Sequence, residues 1–197
     1  ASGYRPEHTL AGYELAIDLG ADFIEPDLVM TQDSVLVARH ENEISSTTNV
    51  TDFPEFATRK TTKIIDNLSF TGWFTEDFTL SELKQLRAKE RLPQLRSQNT
   101  AYDGCFTIPT FQEIIDLVRE KEQITGRTIG IYPETKHPSY FRSVGYALEE
   151  ELLRVLKLNG YEGKSAPIFI QSFEVNNLKF LHKITDIPLI QLINDQG

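Results

Sequence analysis

Glu25 and Asp27 stand one residue apart in the stretch DFIEPDL, inside what reads as a short apolar strand, and His40 closes the next one, VLVARH. Side chains two apart on a strand share a face, so these carboxylates project together. Glu134 and Lys136 repeat the spacing in IYPETK, and Gln171 ends a further apolar run, PIFIQ. Carboxylates converging from several strands repel one another unless a cation neutralises them, and oxygen-only donors favour a hard ion, Mg2+ or Ca2+. Such an ion polarises a phosphoryl oxygen, Lys136 adds positive charge beside it, and a histidine at position 40 can move a proton near neutral pH. Taken singly, each residue has a plainer reading: a turn or salt-bridge acid, a solvated lysine, a hydrogen-bonded structural histidine. Taken together at matching strand ends, they suit cleavage of a phosphodiester.

The elements that must position them alternate along the chain. A helix is expected over 9–19, stopped by Gly20, then strands over 22–28 and 35–40 joined by a turn at TQDS. Pro26 cannot donate to a sheet ladder, which places the end of the first strand there. The polar segment from about 43 to 109 is too long for a plain connector and carries scattered aromatics, Trp73 among them. Within it, Thr79 to Glu82 has capping-box spacing and predicts a helix to about Ala88; Thr110 to Glu113 repeats the device and opens a helix through about Glu122. A strand over 128–134, a helix over 140–158, a strand over 167–171, a helix over 174–182 and a strand over 188–193 follow. Alternation of this kind predicts a parallel α/β fold, and polar residues gathered at strand ends favour a (β/α)8 barrel over an open doubly wound sheet.

Composition narrows the partners. With 197 residues and 40% hydrophobic content the chain can bury the core of a single domain. A formal charge of −9 argues against nucleic acid and against an anionic membrane surface. Cys105, the single cysteine, excludes an intramolecular disulfide and a thiolate zinc cluster, and it reads as an inert small side chain. No apolar run approaches the roughly 20 residues of a membrane span. Of the remaining histidines, His8 is expected on the first helical turn, His182 at an exposed helix end, and His137 in the loop after the Glu134 strand, where a supporting role is open to it.

Five segments, RPEHT (5–9), GADFIEPDLVMTQDS (20–34), LVARHE (36–41), YPETK (132–136) and IQSF (170–173), resemble in order and spacing the glycerophosphodiester phosphodiesterase family, most closely its long-insert type exported to the bacterial periplasm. The resemblance covers essentially the whole chain. It implies a TIM barrel that hydrolyses glycerophosphodiesters such as glycerophosphocholine to glycerol 3-phosphate and an alcohol. It also implies that Glu25, Asp27 and Glu134 hold the divalent metal and that His40 is the second of two catalytic histidines. Lys136 is implied to contact the phosphate, Gln171 and Phe173 to line the site, and Glu7 to support it. The full-length protein is then expected in the periplasm or secreted. The chain departs from the pattern at His8, where the family has Asn, and at Glu41, where it has Asp. The family's first histidine and its arginine, in an HRG motif, fall before Ala1, and its last two strands fall after Gly197. The 197 residues are therefore expected to be an incomplete barrel, the portion of a longer enzyme. Two other readings stand beside this one: phospholipase D-like cleavage of phospholipid on the same barrel, with the insertion's aromatics as an interfacial rim, and a non-catalytic module that binds metal and phosphate.

Overall fold

The structure, a computed structural model, describes residues 1–194. Helix α1 (Leu10–Asp18) starts at Thr9, whose side chain accepts a hydrogen bond from the Gly12 N–H, and it ends before Gly20, at φ 99°. The next segment forms β1 (Phe23–Ile24) and β2 (Asp27–Met30), interrupted at Glu25 and Pro26. After the turn at 31–34, β3 (Leu36–Ala38) folds back antiparallel on β2, with Ala38 opposite Leu28. The strictly alternating parallel order expected from sequence thus fails at this pair, because a four-residue turn is too short for the crossover that a parallel connection needs.

Between 43 and 109 lies a hairpin that the sequence reading missed, β4 (Thr61–Ile65) and β5 (Leu68–Gly72). Asp66 and Asn67 form its two-residue turn with both φ values positive, 50° and 64°. Helix α2 (Leu80–Leu83) has the expected capping box at Thr79 but closes after a single turn, well short of Ala88. Helix α3 (Phe111–Thr125) is capped the same way by Thr110 and Glu113, and ends at Gly126 in the left-handed region. Strands β6 (Gly130–Ile131) and β7 (Glu134–Thr135) repeat the interrupted pattern of β1 and β2, here at Tyr132 and Pro133. The single helix expected over 140–158 is two, α4 (Pro138–Ser143) and α5 (Leu148–Leu158), divided where Gly145 takes φ 94°. Strand β8 (Ile170–Ser172), helix α6 (Val175–Leu181) and strand β9 (Leu189–Gln191) complete the order.

The main sheet runs β3-β2-β7-β8-β9, with all pairs after the first parallel, and β1 pairs in parallel with β6. Parallel strands with helices between them are the expected α/β architecture, and the strands form an open arc. Register does the positioning: Asp27 lies opposite Glu134, and Glu134 opposite Gln171, so three polar residues stand side by side across three neighbouring strands. One continuous hydrophobic cluster supports the arc, built from the strand interiors and the inner faces of the helices, with Leu28, Ile114, Leu152 and Ile170 fully buried. Most insertion aromatics join that packing. Phe74 and Phe78 are fully buried, and Trp73 donates its indole N–H to the Phe56 carbonyl at 2.7 Å.

Because Thr110 satisfies an otherwise unpaired N–H at the head of α3, Thr110→Ala is expected to lower stability by about 1 kcal/mol in urea unfolding without changing the slope of the transition.

Candidate active site

The breaks in the two paired strands make the site. Glu25 sits on the first interruption, Asp27 opens β2 and Glu134 opens β7, and one carboxylate oxygen from each lies within 4.8 Å of the others. Asp27 and Glu134 are buried, whereas Glu25 is exposed. Each acid has a partner. Gln171 donates its side-chain N–H to Glu25 Oε1, Lys136 Nζ lies 3.0 Å from Glu134 Oε1 and 3.8 Å from Asp27 Oδ2, and His8 Nε2 lies 3.2 Å from Asp27 Oδ2.

These contacts set the proton affinities. Burial, reinforced by the charge of Asp27, pushes the Glu134 carboxyl well above the usual carboxylate range, and Lys136 offsets this only in part. Burial acts the same way on Asp27, but the hydrogen bond and charge of His8 and the charge of Lys136 outweigh it, and its pKa falls. Burial alone would lower the Lys136 pKa; the charges of Asp27 and Glu134 raise it. A pair of acids driven apart in this way still carries uncompensated negative charge, and a donor set made only of carboxylate oxygens matches a hard divalent cation.

The remaining sequence candidates gather around this cluster. His40 reaches it because β3 runs backwards along β2, with the Arg39 N–H bonded to the Asp27 carbonyl at 3.0 Å; His40 is therefore not on the end of a parallel strand. Its Nδ1 lies 3.1 Å from Glu41 Oε1. His40, Glu7 and Phe173 line the same cavity of about 470 Å³ as the three acids and Lys136. Phe173 is half exposed, with Lys136 Nζ 5.8 Å from its ring centre. A second cavity of about 750 Å³ adjoins, sharing His40, Glu134, Lys136 and Phe173 and extending to Glu41, Asp66 and Glu174.

Two contributors escaped the sequence reading. His8 was expected within the helix; instead it precedes α1 at φ 51°, with Nδ1 paired to the Tyr13 hydroxyl at 2.7 Å and Nε2 turned to Asp27. Its backbone is held in place by Arg39, a fully buried side chain whose guanidinium donates to the carbonyls of Ala38, Thr47, His8 and Glu7. The insertion supplies the other, Arg91, which pairs through Nε with Glu7 Oε2 at 2.8 Å and lines the smaller cavity. Sequence offered no periodic signal for Arg39 or Arg91, since both act through tertiary contacts.

Comparison with known proteins fits this arrangement. The model of the glycerophosphoryl diester phosphodiesterase family matches residues 1–196. The chain belongs to that family. A glycerophosphodiester phosphodiesterase of Arabidopsis thaliana is 40% identical over 99% of the chain, and one of Haemophilus influenzae is 32% identical over 98%. In both cases the chain spans 54% of the relative's length. Among solved structures, a putative glycerophosphoryl diester phosphodiesterase of Silicibacter pomeroyi superposes with a TM-score of 0.71 at 18% identity, covering 98% of this chain and 62% of that one. An Oleispira antarctica phosphodiesterase, solved in complex with the product sn-glycerol-3-phosphate, gives 0.62 at 23% identity, over 93% and 58%. The open arc is thus the fold of this phosphodiesterase family, an incomplete TIM barrel. No helix among the described residues is long and apolar enough to cross a membrane.

At the rim, His137 clasps two acids, with Nε2 2.7 Å from Glu41 Oε2 and Nδ1 2.6 Å from Asp66 Oδ2 at the tip of the β4-β5 hairpin. Burial would lower its pKa, but the hydrogen bonds and charges of Glu41 and Asp66 outweigh burial and raise it above the ordinary value of 6.5. A raised folded-state pKa contributes stability that is fully present below about pH 6.5 and is lost as pH climbs through the raised value. His137→Gln is accordingly expected to cost about 2 kcal/mol near pH 6 and progressively less under alkaline conditions, read by urea unfolding across pH.

Proposed function

We propose that the protein hydrolyses soluble glycerophosphodiesters, glycerophosphocholine among them, to glycerol 3-phosphate and an alcohol, with Glu25, Asp27 and Glu134 holding a divalent cation, Ca2+ or Mg2+. The observation that carries the reading is the convergence of three carboxylates within 4.8 Å, in one cavity with His40 and Lys136. Binding of sn-glycerol-3-phosphate by the Oleispira antarctica phosphodiesterase supports the choice of substrate. A cation bound by the three acids supplies Lewis-acid polarisation of a phosphoryl oxygen.

The chain's own residues do the rest. Lys136, charged and anchored between Glu134 and Asp27, faces the phosphate as a fixed positive group. Glu41 Oε1 stands 3.1 Å from His40 Nδ1 without a hydrogen bond between them, and the His40 imidazole is the group assigned to exchange a proton with the reacting oxygen. Overall, one P–O bond is broken, hydroxide is added at phosphorus, and the leaving alcohol gains a proton. Gln171 fixes the rotamer of Glu25, and His8 does the same for Asp27. Phe173 provides an apolar wall where the two cavities join.

A surface that rides on phospholipid needs a contiguous apolar rim. Here Trp73, Phe74 and Phe78 are turned into the core, while Ile64, Leu68 and Phe70 on the β4-β5 hairpin are exposed, so the insertion's aromatics supply little of the rim that the lipid-cleaving reading needs. Assay of the full-length protein on glycerophosphocholine discriminates the three readings. Hydrolysis is expected to stop with chelator, return with added Ca2+ or Mg2+, and fall by about 10²- to 10⁴-fold in His40→Ala. Preference for phospholipid vesicles would favour lipid cleavage, no turnover by the wild type would leave a binding module, and activity surviving both chelation and His40→Ala would end the proposal.

A further inference from the structure

Lys136 is shared with Glu134 and Asp27, so a phosphate held at the acid cluster has use for a further donor in the same cavity. We propose that Arg91, carried by the insertion, is that donor and binds the phosphate oxygens of the substrate and of the glycerol 3-phosphate product; this rests on the phosphodiesterase reading above.

Arg91 lines the same cavity of about 470 Å³ as the acidic triad, His40 and Lys136, and it also borders a separate space of about 200 Å³ beside Glu41 and Glu43. It is held by one edge, with Nε donating to Glu7 Oε2 at 2.8 Å. Glu7 is 6% exposed, and its carbonyl is bonded by the buried Arg39, so the anchor is a fixed part of the active-site wall. Among the described residues the two terminal amino groups of Arg91 make no hydrogen bond, and the side chain keeps 33% of its surface open. A guanidinium pinned at Nε presents its remaining donors in one plane, which suits two oxygens of a phosphate and loses little side-chain freedom on binding. Arg96 lines the cavity too, but its Nη1 is occupied by the Ser2 carbonyl at 3.1 Å and lies 3.6 Å from Glu90, so it acts as part of the wall. The loop that carries Arg91 is itself fastened: the Glu90 N–H bonds Asp103, the Glu90 carboxylate accepts from Asn99, and Asn99 reaches the Ser2 carbonyl. The insertion thereby becomes a structural part of the substrate site.

The test uses full-length protein and sn-glycerol 3-phosphate as the probe, with affinity measured by calorimetry and KM measured on glycerophosphocholine. Arg91→Gln is expected to weaken product affinity and raise KM by about tenfold or more, with kcat less affected than KM; its melting temperature falls because buried Glu7 loses its ion pair, so affinity is compared on folded protein. Arg91→Lys keeps the charge and the ion pair with Glu7 but not the planar pair of donors, and is expected to weaken product binding by about three- to tenfold. Product affinity within twofold of wild type in either folded variant overturns the assignment. Failure of the wild type to hydrolyse the diester would instead count against the function, and the affinity comparison would still read Arg91 separately.

Discussion

Strand register forces two acidic side chains together, the break in the first strand adds a third, and most of what surrounds them compensates for that. Asp27, Glu134 and Gln171 are opposite one another on adjacent parallel strands, so pairing the strands correctly brings the acids into range whether or not anything neutralises them. Burial, reinforced by the charge of Asp27 a few ångströms away, pushes Glu134 toward its protonated form. Lys136 and His8 are the protein's own response, and Gln171 holds Glu25 by a neutral hydrogen bond. Three converging carboxylates set against the single lysine charge of Lys136 are the physical argument for a divalent ion.

Repulsion at the centre requires rigidity at the periphery. Arg39, buried without an acidic side-chain partner among its hydrogen bonds, gives its donors to four backbone carbonyls and so ties β3 to the segment before α1. That tie fixes His8 in a left-handed backbone conformation and sets Glu7 where the insertion can reach it. The hairpin tip fastens on the other side, through Asp66 and His137 to Glu41, and Glu41 in turn lies against His40. Two parts of the insertion, the hairpin tip and the loop of Arg91, therefore bear on the acid cluster through short chains of contacts.

Sequence made the acids legible because period-two spacing is local: Glu25 with Asp27, and Glu134 with Lys136, needed no tertiary information. The two capping boxes were equally readable, at Thr79 and Thr110. What failed was decided by longer-range or unusual backbone chemistry. An Asp66-Asn67 turn can form the same hairpin as Asn-Gly, yet its weaker signal hid β4 and β5. Gly145 at positive φ divided a helix that hydrophobic periodicity alone would continue. Sequence puts His8 at the first helical turn, but Arg39 and Tyr13 draw it out toward Asp27. The direction of β3 is set by the length of the turn at 31–34, too short for a parallel crossover.

The central claim, that the three carboxylates share one divalent ion, is tested most directly by titrating metal-free protein with Mn2+ or Ca2+ and following binding by spin resonance or calorimetry. The account predicts one ion per chain at this site, with affinity falling at least tenfold in Asp27→Asn and falling also as pH drops through about 7, where Glu134 takes up a proton. Binding that Asp27→Asn and Glu134→Gln both leave unchanged, or no binding at all in folded protein, would contradict it.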